Sequence, residues 1–290
     1  MVVSALFFGT LAVLTPLAYR GGATPLPLLA WRFLFAAMLL GAAALSRSRR
    51  ALAVPRSDLA RYSALAVTGY GLASICYFFA LKWAPASVVA VLLYTYPAMV
   101  VLASWVLGTQ KPSWRQALAV LVTFAGVALV LNPFQPDATV STKGFVLGLG
   151  AAAGYTLFNL LSARWLPGRS RLVLMTYTFG IAAIFVAFVT LAAGQSLSPA
   201  AWEPSVWVLL GLIVLVPTFG AVLLYLEGIR GLGPSQAAVI STLEPLFTIA
   251  LAAVVLGERL APIQWAGAAL VLLGVVYAEV SARRAEPPPM

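Results

Sequence analysis

Apolar runs about 20 residues long recur along nearly the whole chain, and this is the length that an α-helix needs to cross the hydrocarbon of a bilayer. The runs are separated by short polar gaps that leave no room for a soluble domain. Their approximate bounds are 2–20, 25–45, 58–81, 85–107, 112–131, 144–165, 172–193, 206–229, 234–256 and 262–282. The sequence therefore predicts an all-α integral membrane protein with ten transmembrane helices.

The composition indicates that lipid, rather than water, is the solvent of this chain. Hydrophobic residues make up 62% of the 290 residues and charged residues only 9%, whereas about a quarter of the residues of a soluble domain are charged. The net charge of +10 would suggest nucleic acid as a partner of a soluble protein. Here the cationic residues fall in the short gaps between apolar runs, so we expect the lipid bilayer as the partner and not nucleic acid. The sequence leaves the oligomeric state open.

Residue types that are scarce or missing exclude several functions. The chain has one cysteine, Cys76, and no histidine, which rules out an internal disulfide and argues against a Cys/His metal site. Catalysis by Ser-His-Asp or Cys-His groups cannot be built without histidine. The sequence also has no GxxxxGK[ST] loop for ATP. We expect neither an enzyme nor a bound cofactor or metal.

The distribution of lysine and arginine predicts the orientation. With the N-terminus in the cytoplasm, the inside loops carry 13 of these residues and the outside loops 4. Cationic residues are enriched in cytoplasmic loops, so both termini are predicted to lie in the cytoplasm and the chain in the cytoplasmic (inner) membrane. The first apolar run begins at Val2 without a basic segment before it or a cleavage site after it. This favours a retained helix over a signal peptide.

An internal repeat appears when the chain is shifted by 148 residues. Matching residues then include Tyr77 with Tyr225, Ser87 with Ser235, Pro97 with Pro245, Gln116 with Gln264 and Gly126 with Gly274. We predict a first repeat at 1–131, a connecting loop at 132–143, a second repeat at 144–282 and a cytoplasmic tail at 283–290. Each repeat has five helices, an odd number, so the second must enter the membrane inverted. Inverted repeats are common in secondary transporters, with the substrate site near the midplane between them.

Two segments carry a resemblance to a known family. They are YFFALKWAPASVVAVLLYTYP (77–97), with LGTQKPSWRQ (107–116) after it, and YLEGIRGLGPSQAAVISTLEP (225–245), with LGERLAPIQWAGAALVLLG (256–274) after it. With WRF at 31–33, these resemble the drug/metabolite transporter superfamily, and specifically its EamA-type ten-helix exporters. Within the family the chain looks most like the YddG-like amino-acid exporters. The resemblance implies two inverted five-helix repeats, a central cavity and export of metabolites.

Glu244 and Pro245 interrupt an otherwise apolar run. A charged side chain at a helix centre costs about 2.5–3.5 kcal/mol on insertion scales, so Glu244 should face a cavity or be protonated by desolvation. Pro245 removes a backbone hydrogen bond and should free the carbonyl near Ser241. Paired interruptions in matching helices point to a transport site, so Pro97 and Pro245 are predicted helix hinges. The alternative is that Glu244 is a structural carboxylate bonded between helices.

Arg32 lies about two turns into the second helix, between Trp31 and Phe33. One interpretation is an arginine that snorkels to the outer headgroups, with its aromatic neighbours at the interface. The other is a clamp for a substrate carboxylate, or an ion pair with Glu244 or Glu258.

A polar stripe in the third helix suggests the wall of a cavity. Tyr70, Ser74 and Tyr77 share one helix face, and polar groups in lipid point inward because hydrocarbon offers them no partner. With the equivalent positions and their neighbours, the predicted substrate-binding residues are Thr10, Tyr70, Ser74, Tyr77, Tyr96, Thr156, Asn159, Thr218, Tyr225, Ser241 and Glu244. The alternative is that these groups only bridge neighbouring helices. Glu227 and Glu258 are expected to be capping or gating charges, and Asp58 a loop charge.

We therefore expect a secondary transporter that exports small metabolites by alternating access, with amino acids, aromatic ones included, as substrates. If Glu244 binds a proton, the protein is a proton antiporter; otherwise it is a facilitator. The sequence slightly favours the facilitator, because Tyr96 stands where the second half has Glu244. Other interpretations are a non-transporting scaffold or sensor subunit, and a proton-coupled exporter of drugs, nucleosides or sugars.

Overall fold

A computed structural model describes residues 1–49, 52–108, 113–130, 141–165, 168, 170–232, 237 and 240–283. Within them the chain is helical and contains no strand. The predicted loop at 132–143 and the tail at 283–290 fall almost entirely outside the described residues. In the first half the helices are α1 (Val2–Arg20), α2 (Pro25–Arg47), α3 (Arg56–Ala64), α4 (Leu72–Trp83), α5 (Ala86–Leu93), α6 (Tyr96–Val106) and α7 (Trp114–Val130).

The second half repeats this order of long and interrupted helices. Its helices are α8 (Thr142–Trp165), α9 (Arg171–Ala192), α10 (Pro204–Ile213), α11 (Ala221–Leu232), α12 (Glu244–Leu251) and α13 (Pro262–Arg283). A short 3-10 helix (Pro199–Ala201) precedes α10. Asp58, which the sequence analysis places in a loop, instead lies buried in the first turn of α3, 3.6 Å from Arg61.

Seven helical stretches in the described residues are long and apolar enough to span a bilayer, and three more apolar helices are shorter. Large apolar side chains cover their outer surfaces; Val106 is 87% exposed and Ile184 73%. In water such a surface would be unfavourable, whereas lipid solvates it. The chain is thus an all-α membrane protein. The predicted number of ten crossings stays a prediction.

Helices that the predicted repeat makes equivalent pack against each other. Helix α2 packs on α9, and α7 packs on α13. A Cβ atom on Gly126 would lie 2.6 Å from the Gly267 carbonyl, and one on Gly267 would lie 2.6 Å from the Gly126 carbonyl. The 148-residue shift relates this contact to the one between Gly274 and Ala119, where a Cβ atom on Gly274 would lie 2.9 Å from the Ala119 carbonyl. These related contacts support an inverted repeat, which remains a prediction.

Interruptions also occur at matching positions in the two halves. Segments of π-helix, Leu65–Gly71 and Val214–Gly220, join α3 to α4 and α10 to α11; a third, Ala252–Leu256, follows α12. The helical stretch of α5 and α6 breaks at residues 94–95, just before Pro97, and the equivalent stretch breaks at 242–243, just before Pro245. Both prolines occupy the first turn of the following helix, where the missing N–H is tolerated. Such π segments frequently lie at functional sites.

Candidate functional site

A cavity of about 540 Å³ lies among the helices. Its wall is largely aromatic, with Arg32 and Glu244 the charged groups that face its inner part. The described residues that contribute polar or aromatic side chains are Phe8, Arg32, Tyr70, Ser74, Tyr77, Tyr94, Tyr96, Tyr155, Phe158, Asn159, Ser162, Arg171, Tyr225, Ser241 and Glu244. Concave sites with an apolar lining and a few polar groups are typical of small-molecule binding.

Arg32 is held at the cavity by the two matching π segments. Its side chain is only 4% exposed, and its Nε donates a hydrogen bond to Thr218 Oγ1 at 2.9 Å. Thr218 in turn donates to the Ile213 carbonyl, five residues back, at 2.8 Å. Tyr70, on the other π segment, also interacts with the guanidinium group. The rings of Phe33 and Phe78 each lie 5.4 Å from Arg32 Cζ, which is cation–π distance. Arg32 is therefore buried among the helices and bonded within the protein, and is not extended to the protein surface.

Glu244 begins α12 directly after the helix break, and its carboxyl group contacts Tyr94. The Tyr94 hydroxyl lies 2.9 Å from Glu244 Oε2 and 2.6 Å from the Ser241 carbonyl oxygen. That carbonyl is the one that Pro245, lacking an N–H, cannot bond. The freed carbonyl that the sequence predicts near Ser241 is thus occupied by a phenol from the first half of the chain. Ser241 uses its own hydroxyl to bond the Ala237 carbonyl at 2.9 Å.

Aromatic rings form a continuous wall beside these two charged groups. Tyr96 and Tyr155 meet edge to face with centroids 4.8 Å apart, and Tyr155 stacks on Phe158 at 6.1 Å. Tyr70 meets Phe158 edge to face at 5.4 Å. Aromatic pairs in such geometries are favourable beyond their buried area. The cavity therefore presents ring faces and edges to a bound molecule, with one cation and one carboxyl group at its depth.

Exposed residues of the cavity wall lie where α8 ends and α9 begins. They include Gly168 and Arg171, on the side that the charge distribution predicts to be cytoplasmic. At the other end of the helices Glu258 caps α5: Oε1 accepts from Ala86 N at 2.7 Å, and Oε2 accepts from Ser87 N at 3.0 Å and from Ser87 Oγ at 2.6 Å. A carboxylate at a helix N-terminus satisfies its free N–H groups.

The structure brings most of the predicted site residues together. Eight of them and Arg32 line the cavity: Tyr70, Ser74, Tyr77, Tyr96, Asn159, Tyr225, Ser241 and Glu244. Three threonines lie off its wall and bond backbone carbonyls instead: Thr10 to Phe7, Thr156 to Ala152 and Tyr96, and Thr218 to Ile213. Thr218 still acts on the site through Arg32. Pro97 and Pro245, the predicted hinges, are buried and do not line the cavity.

Sequence analysis missed Tyr94 and Tyr155, which both line the cavity. Tyr155 precedes Asn159 by four residues and so shares its helix face, a signal that was available. Tyr94 carried no such signal, because on an unbroken helix it would point about 200° away from Tyr96. The break at 94–95 lets both side chains face the cavity. In the described residues no three His, Cys, Asp or Glu side chains group in a way that could hold a metal ion.

The fold defines a polytopic helical membrane protein with a cavity among its helices. Comparison with known proteins then narrows the class. The sequence profile of the EamA-like transporter family matches residues 1–132 and 142–278. The chain belongs to the EamA-like transporter family, and it is a membrane transporter. The likeness to the YddG-like exporters within it stays a prediction.

Several relatives are themselves transporters without a stated substrate. The chain is 27% identical to the uncharacterized transporter YcbK of Bacillus subtilis over 99% of this chain and 94% of that protein. It is 26% identical to the uncharacterized transporter YwfM of the same organism, over 62% of this chain and 60% of YwfM. A solved structure, titled only as a crystal structure of a protein, superposes with a TM-score of 0.68 at 20% identity, covering 98% of this chain and 96% of that one. This last likeness supports the fold alone.

Proposed function

We propose that this transporter exports small amphipathic metabolites, amino acids with aromatic side chains among them, by alternating access through the central cavity. The observation that carries the proposal is one cavity of about 540 Å³ that combines Arg32, Glu244 and a wall of aromatic rings. An amino acid has a carboxylate for the guanidinium, an ammonium for the carboxyl group and a side chain for the rings. A non-transporting scaffold has no use for such a space.

The shape of the cavity supports a specific direction of opening. The exposed part of the cavity wall lies beside Gly168 and Arg171, and Glu258 ties the other end of the helices to the start of α5. If the charge distribution gives the orientation correctly, this conformation accepts substrate from the cytoplasm, as an exporter requires. Alternating access then needs the bonds between Glu258 and the start of α5 to open while the mouth at α8 and α9 closes.

Liposome efflux tests the proposal directly. Purified protein is reconstituted in liposomes loaded with radiolabelled phenylalanine, tyrosine, alanine or glutamate, and the label lost is followed against protein-free liposomes. We expect protein-dependent efflux of the aromatic amino acids, slower efflux of alanine and none of glutamate. The second carboxylate of glutamate would find no second cation beside Arg32, because Arg171 is exposed at the edge of the wall. Retention of all four labels would reject amino acids as the substrate class while leaving the family assignment intact.

A further inference from the structure

The hydroxyl of Thr218 makes two hydrogen bonds, and the chemistry of its partners fixes the direction of each. Thr218 Oγ1 lies 2.8 Å from the Ile213 carbonyl oxygen and 2.9 Å from Arg32 Nε. A carbonyl oxygen can only accept a hydrogen bond, and a guanidinium nitrogen can only donate one. The threonine proton is therefore directed at Ile213, and a lone pair of Oγ1 accepts the N–H of Arg32.

Pro217 explains why the hydroxyl proton is used in this way. An unbroken α-helix would bond the Ile213 carbonyl to the N–H of residue 217, and proline has no N–H. In the π segment Val214–Gly220 this carbonyl is bonded by Thr218 instead, five residues further along the chain. Because the hydroxyl proton is committed there, the oxygen has only lone pairs left, and these suit a donor such as the guanidinium group.

Both partners of this bond are shielded from water. Thr218 is 1% exposed and Arg32 4%. The rings of Phe33 and Phe78 lie 5.4 Å from Arg32 Cζ and leave little room for a solvent molecule to replace the hydroxyl. Loss of the acceptor would leave a buried charged donor without a partner, which is unfavourable. The bond therefore constrains both the position of the guanidinium group and the orientation of its plane.

The bond also determines which edge of Arg32 a bound molecule can use. A guanidinium group has five N–H donors in a fixed fork, and the donor on Nε is taken by Thr218. A carboxylate therefore cannot make two bonds along the Nε edge. Arg32 lines the cavity, and its four other donors are on Nη1 and Nη2, with Tyr70 interacting from the other π segment. A bidentate pair with a carboxylate must form across these two terminal nitrogens.

We propose that Thr218 is the positioning residue of the substrate site, and that it holds Arg32 by Nε so that the two terminal nitrogens face the substrate carboxylate. Thr218 lies off the cavity wall and acts only through Arg32. The 148-residue shift pairs Thr218 with Tyr70, so each predicted repeat provides a group for the guanidinium at the same position. This role rests on the export of amino acids proposed above.

Two substitutions of Thr218 separate the hydroxyl from the shape of the side chain. Thr218→Val keeps the shape and removes the hydroxyl, whereas Thr218→Ser keeps the hydroxyl. In Thr218→Val we expect the half-saturating concentration of phenylalanine for efflux from liposomes to rise about three- to tenfold, the effect of one hydrogen bond, with little change in the maximum rate. Thr218→Ser should restore the unmodified value. Phenethylamine, which lacks a carboxylate, should compete equally well in all three proteins.

Thr190→Val is the matched control, because it removes a buried hydroxyl elsewhere. Thr190 bonds the Val186 carbonyl within α9 at 2.6 Å and does not line the cavity. The half-saturating concentration of phenylalanine should not change in this variant. The positioning role is overturned if Thr218→Val leaves phenylalanine unaffected, if it weakens phenylalanine and phenethylamine by the same factor, or if Thr218→Ser weakens phenylalanine as much as Thr218→Val does.

Thermal unfolding in detergent tests the contact without any transport. Removal of the hydroxyl leaves Nε without its acceptor only when residue 32 is arginine. Thr218→Val should therefore lower the midpoint of unfolding more in the unmodified background than in the Arg32→Met background. Equal decreases in the two backgrounds would show that Thr218 is not coupled to Arg32 and would overturn the proposal. If the coupling is present but no amino acid is transported, the proposed substrate class fails while the contact that positions Arg32 is supported.

Discussion

Arg32 is a buried cation whose neighbours are a hydroxyl, a phenol and two ring faces rather than a carboxylate. Burying a charge is unfavourable unless it is paired and hydrogen-bonded. The sequence left an ion pair with Glu244 or Glu258 open, but Glu258 is engaged with α5 and no carboxylate oxygen of the described residues lies within 4.0 Å of the guanidinium. This absence of a protein counter-ion is what the proposed binding of a substrate carboxylate by Arg32 rests on.

Replacement of Arg32 should therefore affect substrates according to whether they carry a carboxylate. In Arg32→Gln we expect the half-saturating concentration of phenylalanine to rise about tenfold or more, since hydrogen bonds to charged groups contribute about 1.5–3 kcal/mol. The binding of phenethylamine, which lacks the carboxylate, should change little. Competition against labelled phenylalanine in liposomes measures both.

Arg20→Gln is the matched control, because Arg20 ends α1 at the surface and does not line the cavity. It removes the same charge and should leave both half-saturating concentrations unchanged. If Arg32→Gln raised the half-saturating concentrations of phenylalanine and phenethylamine by the same factor, Arg32 would support the cavity wall and would not bind the carboxylate.

Helix packing in this protein depends on close approach of backbones as much as on side chains. Helix association in lipid is driven by van der Waals packing and favours small residues at the contact. Gly126 on α7 and Gly267 on α13 each lie against the other's carbonyl oxygen, so neither position has room for a Cβ atom. Thr123 packs against Gly274 on the same interface. This contact joins the predicted halves of the chain.

Gly126→Ala should loosen that interface. Its Cβ atom would lie 2.6 Å from the Gly267 carbonyl and 2.7 Å from Val271 N, and because both are backbone atoms, the helices must move apart. We expect a destabilisation of about 1–3 kcal/mol, typical of overpacking, seen as a lower midpoint of thermal unfolding in detergent.

Gly211→Ala separates crowding from the general effect of adding a methyl group to a helix. A Cβ atom on Gly211, within α10, meets nothing within 4 Å, and alanine favours helix by about 0.5–1 kcal/mol over glycine. The midpoint of thermal unfolding of the Gly211→Ala protein should therefore equal that of the unmodified protein or exceed it. Equal midpoints for the two variants would show that the α7–α13 contact tolerates separation.

On the scale of the whole molecule, the two ends of the bundle differ. One end, called the open end, carries the exposed cavity-wall residue Arg171 beside the junction of α8 and α9, and the other end is tied by the three hydrogen bonds of Glu258. The charge distribution predicts the open end to face the cytoplasm. The loop that contains Ser196, exposed after α9, is then outside.

Labelling of single cysteines tests this orientation. In a background with Cys76→Ser, which removes the one native thiol, a membrane-impermeant maleimide should modify the Ser196→Cys protein in intact cells. The Arg171→Cys protein should react only after the membrane is permeabilised. The reverse pattern would place the cavity mouth outside and would contradict both the predicted topology and the direction of export.

The sequence by itself determined the features that depend on local chemistry. Long apolar runs predict membrane helices because lipid cannot bond a free backbone, and Pro97 and Pro245 mark breaks because proline has no N–H. Glu244 and the stripe of Tyr70, Ser74 and Tyr77 predict a polar surface inside the bundle, because a polar group that faces lipid has no hydrogen-bond partner.

Only the tertiary structure decided which polar groups face the same space. Thr10 and Thr156 satisfy their hydroxyls on nearby backbone carbonyls, an option that is open to any helical threonine and invisible in the sequence. Tyr94 reaches Glu244 only because the break at 94–95 turns it toward a helix 150 residues further along the chain. The rotation of a helix about its axis is set by packing against its neighbours, so the composition of the cavity wall is a property of the assembled bundle.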